Sequence, residues 1–363
     1  MAIDSELAHH IFAVVEREES WIIPGGGRAP RLVTRREGHG QAITRTSSDG
    51  VRIEASDHLP ASATATEGQI ATARHAFETG LTDELESLPF AAARLDASSP
   101  IRLTLRGIAS IVRRDEVETI RTSLFITASI RAHGGDVSVV TSTRFLLDDI
   151  GTLVAAVAAP GPLRIDPRLY PIVWRRGTAA VLIHEAIGHA AEHNASAVAW
   201  PHWLRVDDVP DVDGGTRMGG IDDTGANILP VELTAGGRPS ARRRASFSDL
   251  PIARMTNVVV RQKGAPWLEP LPRIEVSLVD GGRYDPLTDR VTIGVVAADL
   301  VSDTARQALQ PFALSETRET IAKRLSGASG EPQRYPGVIC SSEGQELVVG
   351  SFSADVITSP MAS

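Results

Sequence analysis

The sequence predicts an α+β fold: a β-rich C-terminal body around one buried helix, preceded by a smaller N-terminal domain of mixed α and β structure. Three observations carry this expectation. Beyond Trp200, short apolar segments alternate with Gly, Pro and Asp, as in an antiparallel sheet or barrel. The strongest helical pattern occurs once, over residues 175–197. A Pro- and Arg-rich stretch at residues 161–171 suggests a boundary between domains at 1–160 and 161–363. Alternating βαβ units are not evident.

Residues 5–18 place Leu7, Ile11, Val14 and Val15 at helical spacing and predict a helix. The Pro24–Gly25–Gly26–Gly27 run reads as a turn, because it lacks the GxGxxG spacing of a phosphate loop. Residues 31–57 read as hairpins and 69–85 as a second helix. Residues 101–105, 122–131 and 137–145 read as strands, the last two joined by a turn at Gly134, Gly135 and Asp136. A helix is expected over 148–158. Further strands are expected at 231–233, 257–262, 273–279 and 291–296.

The chain has 363 residues, 42% hydrophobic and 23% charged, an ordinary globular balance. Its formal net charge of −8 disfavours nucleic acid as a partner, since phosphate binding needs a basic surface. Lysine occurs only at positions 263 and 323, and arginine supplies the other basic residues. The acidic, polar beginning MAIDSELAHH does not read as a targeting segment. No apolar run approaches the roughly 18 residues of a membrane span. The single cysteine, Cys340, has no partner for an internal disulfide. Together these features lead to the expectation of a cytoplasmic protein without membrane contact.

The chemistry centres on His184-Glu185-Ala-Ile-Gly188-His189-Ala-Ala-Glu192. Zinc peptidases usually place two histidines one helical turn apart, as His-Glu-x-x-His. Here the separation is one residue longer. On a regular α-helix, five residues overshoot one turn by about 140°, so the rings would diverge. A local π-bulge would bring them together, and Gly188 is suited to such a distortion. Glu185, beside the first histidine, is the candidate general base. A buried cluster of ionisable groups is costly unless paired or bound to metal. A catalytic site needs a third protein ligand. His193, Glu192 and Cys340 are all candidates, and spacing does not choose among them.

Four separate motifs then resemble the TldD/PmbA family of metallopeptidases, also called modulators of DNA gyrase. They are the His184–Glu192 segment, Ile221-Asp-Asp-Thr-Gly225, Arg242-Arg-Arg-Ala-Ser246 with Pro251-Ile-Ala-Arg254-Met-Thr-Asn257, and Cys340-Ser-Ser-Glu-Gly-Gln345 with Val348-Val-Gly350. The resemblance implies a Zn2+ ion held by His184, His189 and Cys340, with Glu185 as base. It implies two domains, the active-site helix lying in the β-rich half. It also implies a peptidase acting on small or unfolded peptides, as a homodimer or a heterodimer with a PmbA/TldE-like subunit. The intact motif resembles the metal-bearing, TldD-like side. The chain departs from the family pattern in a short N-terminal region, in Ser-Ser-Glu after Cys340, and in His193-Asn194 after Glu192.

Arg254, Asn257 and Arg243 are candidate substrate contacts, because guanidinium matches a peptide carboxylate and an amide can hold a peptide backbone. Glu192 is a candidate partner for a ligand histidine. Asp222 and Asp223 beside Gly225 read as a turn. Two other functions compete: hydrolysis of an amide or thiol conjugate in a biosynthetic pathway, and a non-catalytic subunit keeping a vestigial motif.

Overall fold

The computed structural model describes residues 8–24, 28–47, 50–55, 67–95, 99–114, 117–132, 135–141, 143–158, 161–245, 249, 251–342 and 344–360. Strands β1 (Ala8–Ile23), β2 (Arg31–Ser47) and β3 (Gly50–Ala55) come first, followed by helices α1 (Glu67–Gly80) and α2 (Thr82–Ala92). Strands β4 (Ile101–Arg114), β5 (Val117–Ala132) and β6 (Gly135–Thr141) lead into helix α3 (Leu146–Ala158). After β7 (Ile172–Trp174) comes a composite helix: α4 (Ala179–Ile183), a π-helical turn (His184–Gly188) and α5 (His189–Glu192). Strands β8 (Leu204–Asp208), β9 (Val231–Glu232), β10 (Arg242–Arg243), β11 (Ile252–Ala253) and β12 (Asn257–Gln262) follow. Then come β13 (Arg273–Asp285), β14 (Arg290–Val301), β15 (Arg306–Ala308) and β16 (Phe312–Thr317). Helix α6 (Arg318–Arg324) precedes a long hairpin of β17 (Leu325–Ser342) and β18 (Gln345–Thr358).

Among the described residues, sixteen strands join one sheet, and β10 and β11 form a separate pair. The main path runs β15-β14-β13-β7-β18-β17-β6-β5-β4-β1-β2-β3. Pairing is antiparallel except where β12 meets β18 and β13 meets β7. The two halves of the path touch through a single pair, Gly337 of β17 with Val140 of β6. Among the described residues, no other pair joins β17 to a strand on this side.

Alternation explains the N-terminal layer. Ile101, Leu103 and Leu105 of β4 are buried, with Phe77, Leu81, Leu85 and Leu88 of the α1–α2 segment in the same core cluster. Gly107 leaves room for this packing, since a Cβ there would lie 3.0 Å from the Phe77 ring. In α3, Leu146, Ile150 and Leu153 recur at helical spacing and are buried. The composite helix differs, because every residue from Ala179 to Ala190 is buried. A helix apolar on all sides belongs inside a body rather than on it. Arg176 and Gly177, both with positive φ, turn the chain into this helix, and Asn194 at φ 54° turns it out.

The helix expected over 5–18 is corrected: from Ala8 onward this segment is strand β1. It pairs with β2 on one edge and β4 on the other. Such a ladder supplies far more than the local helical preference of a β-branched segment can offset. The usual alternation is masked because adjacent Ala13 and Val14 are both buried, Val14 against Val112 and Ile221. The helix expected at 69–85 is two helices that meet at Leu81. The expected hairpins, the helix near 148–158 and the strands of the second half are present. Of the two expected turns, residues 25–27 and 133–134 lie outside the described residues, while Gly135 and Asp136 begin strand β6. No helix among the described residues is long and apolar enough to cross a membrane.

Candidate metal centre

The composite helix aims two imidazoles at one point. His189 N–H donates to the carbonyl of His184, five residues back, which is the π-helical bond that the long histidine spacing requires. The two rings lie 4.8 Å apart between centroids, nearly perpendicular at 88°. Gly188, the last residue of the π turn, has right-handed helical angles that any residue adopts, with φ −64°. Its lack of a side chain serves packing: a Cβ there would lie 2.0 Å from Met255 Sδ. The close approach of Met255, more than backbone freedom, therefore accounts for this glycine.

The third candidate ligand arrives from the β17–β18 hairpin. Cys340 Sγ lies 3.3 Å from His184 Nε2 and 3.2 Å from His189 Nε2. A tetrahedral zinc with ordinary bond lengths would set each N···S separation near about 3.5 Å. The two observed nitrogen–sulfur distances therefore lie within a few tenths of an ångström of that geometry. All three residues are buried, and they are the one such group among the described residues. Two imidazoles and a thiolate suit a soft-to-borderline ion of the zinc type, and three protein ligands leave a fourth position open.

The surrounding residues orient the donors. Glu192 Oε2 lies 2.8 Å from His189 Nδ1, which directs the other ring nitrogen toward Cys340. Glu192 Oε1 in turn accepts from Met255 N–H at 2.9 Å. The Nδ1 of His184 is buried without a hydrogen-bond partner, so the polar interaction of that ring runs through Nε2. His193 stands apart, exposed, its ring stacked 6.4 Å from that of His189.

Glu185 is buried, with its carboxylate oxygens 4.0 Å from His184 Nε2 and 3.8 Å from His189 Nε2. Burial raises its pKa to about 7, against the pull of His189 and a hydrogen bond from the Tyr284 backbone N–H. Gly282 makes space for it, since a Cβ there would sit 2.5 Å from Glu185 Cγ. Burial and the neighbouring His189 and Arg254 push His184 well below its ordinary value. For His189, burial works downward, but the bonds to Cys340 and Glu192 outweigh it and raise its pKa to about 11. Without an ion, the cluster thus keeps a proton on His189.

This proton has a measurable consequence. Coordination through His189 Nε2 requires it to leave, so metal uptake releases at least one proton at neutral pH. Zinc affinity, measured by competition with a chromophoric chelator, is expected to rise by about tenfold per pH unit between roughly pH 6 and pH 8. A flat profile would exclude His189 as a ligand that must deprotonate.

The three candidate substrate residues are all buried. Arg254 Nη2 donates to the Cys340 carbonyl at 2.7 Å and approaches Cys340 Sγ at 2.8 Å. Asn257 donates to the carbonyls of Val209 and Thr216 and accepts from Thr216 N–H. Arg243 donates to the carbonyls of Met255 and Val348, and it borders a cleft of about 280 Å³. That cleft lies between Glu18, Arg106 and Phe125 on one side and Ile339 and Val348 on the other, and none of the three ligand residues lines it. Asp222 forms the expected turn, accepting from the backbone N–H groups of Thr224 and Ala226.

The sequence matches no protein-family model and no curated protein. Solved structures do resemble it. TldE from Thermococcus kodakarensis superposes with a TM-score of 0.60 at 12% identity, covering 97% of this chain and 96% of that one. A candidate modulator of DNA gyrase from Thermotoga maritima gives 0.58 at 12% identity, with coverages of 97% and 95%. Another from Bacteroides thetaiotaomicron gives 0.56 at 12% identity, with coverages of 97% and 94%. The chain has the TldD/PmbA fold. At this identity the likeness concerns architecture, and it extends over nearly the whole length of both partners in each comparison.

Proposed function

We propose that this TldD/PmbA-fold chain is a zinc-dependent peptidase acting on small or unfolded peptides, with Glu185 as general base. The observation that carries the reading is the meeting of His184, His189 and Cys340, with the Glu185 carboxylate 3.8–4.0 Å from both histidine Nε2 atoms. The fold by itself does not separate a metal-bearing subunit from a TldE-type one, so the reading rests on this donor set. An ion held there would supply Lewis acidity to a water and to the scissile carbonyl. Glu185 takes a proton from the attacking water and returns it to the departing amine. Its pKa of about 7 without an ion suits a base working near neutrality, and a nearby cation draws the group toward its ionised form. Glu192 holds the His189 ring, and the Tyr284 backbone N–H holds Glu185. The deep burial of the site favours an extended, unfolded chain as substrate, since a folded surface could not reach it.

The test is removal of the metal. Chelator treatment is expected to lower hydrolysis of an unfolded, fluorescently labelled peptide by at least about 100-fold, with stoichiometric zinc restoring it. Full activity in metal-free protein would end the proposal.

A further inference from the structure

We infer that Arg254 is a positioning residue of the metal centre, which grips the sulfur ligand Cys340 and ties it through Glu192 to the histidine ligand His189. The inference rests on the metal-site reading above and extends it to a residue whose observed contacts are with Cys340, the hairpin carbonyls and Glu192.

Arg254 is 1% exposed. Its Nη2 lies 2.7 Å from the carbonyl oxygen of Cys340 and 2.8 Å from its Sγ, so one nitrogen holds both the main chain and the side chain of that residue. Nη1 reaches the carbonyls of Ser342 at 3.3 Å and Gln345 at 3.4 Å. Nε lies at an ion-pair distance of 3.4 Å from Glu192 Oε1, without a hydrogen bond, and the other oxygen of Glu192 meets His189 Nδ1. The contacts form a continuous loop: His189, Glu192, Arg254, Cys340 and back to His189 through the 3.2 Å N···S contact.

A purely structural account covers part of this arrangement. Arg254 donates to the carbonyls of Cys340, Ser342 and Gln345 around the end of the β17–β18 hairpin, which ties that end together. That account does not explain the contact with sulfur. A neutral thiol is a weak acceptor, whereas a thiolate is a strong one for guanidinium. Nor does it explain Glu192, which lies on the ligand helix and joins the arginine to the second histidine. A buried cation is expensive unless paired, and the partners here are one ligand and the carboxylate orienting another. Arg254 therefore holds elements far apart in the sequence in the geometry needed for coordination.

The test uses the full chain loaded with cobalt(II), whose sulfur-to-metal charge-transfer band reports on the Cys340 bond. Arg254→Met is expected to weaken cobalt affinity by about 10- to 100-fold. It should also move the band to lower energy, because the sulfur loses its N–H donor. Arg254→Lys keeps the charge but not the planar fork, so its affinity should fall between the two. If the Met variant does not fold, the Lys variant carries the test: wild-type affinity with an unmoved band overturns the inference. So does a folded Met variant that is less heat-stable yet binds cobalt as the wild type does, since that is the signature of a structural role alone. If the wild type binds no cobalt, the metal-site reading itself falls and this inference falls with it.

Discussion

Glu185→Gln is expected to abolish peptide hydrolysis, by on the order of 10³-fold in kcat, while leaving about one zinc per chain in place. Glutamine has the shape of glutamate, fits the space that Gly282 leaves open, and can still accept the Tyr284 backbone N–H. It cannot take a proton from water. The proposed ligand atoms belong to His184, His189 and Cys340, so metal content should not follow activity. The measurement is paired: steady-state hydrolysis of an unfolded peptide, and zinc content of the same preparation. A variant with more than about a tenth of wild-type activity would remove the carboxylate from the role of base.

Cys340→Ser is expected to have the largest effect on the metal itself. A serine hydroxyl stays protonated near neutrality and is a poor ligand for a zinc-type ion. The site would keep two imidazoles, and its metal content after dialysis should fall from about one to below about 0.1 per chain. The substitution changes little volume at a position 3% exposed, so circular dichroism should report an intact fold. Loss of activity together with metal, in folded protein, places the sulfur in the coordination sphere. Full metal retention would place the ion elsewhere and break the case for this centre.

Parts of the site were legible in the sequence because they are local. The His184-Glu185-x-x-Gly188-His189 spacing is incompatible with a regular helix carrying two converging ligands, so the π turn follows from helical geometry alone. Glu192 is also local, three residues beyond His189 on the same helix. Cys340 was not legible from spacing. It lies 151 residues from His189, and only the pairing of β17 with β18 and their packing on the helix bring the sulfur into reach. Arg254 read as a substrate contact because guanidinium matches carboxylate. Its burial and its contact with Cys340 depend on a segment 86 residues away, which no local pattern encodes. His193 read as a candidate ligand from its place on the helix, but the helix ends there and the ring is exposed.

The N-terminal segment shows the opposite failure. Helical spacing over residues 5–18 was real but not decisive, because β2 and β4 supply hydrogen-bond partners along both edges of β1. Local preferences amount to tenths of a kcal/mol per residue, and a two-sided ladder outweighs them.

By itself, the sequence determined the strand-rich character of the second half, one buried helix, and the distortion that helix must carry to point His184 and His189 together. These follow from periodicity and the fixed geometry of the backbone, which act over a few residues at a time. The tertiary structure decided that β1 is a strand, that Cys340 Sγ meets the two histidine rings, and that Arg254 and Glu192 lie between the hairpin and the helix. Those outcomes depend on contacts between separate segments, those at the histidines and Cys340 spanning more than 50 residues, where the balance of burial and hydrogen bonding is set by the packed whole.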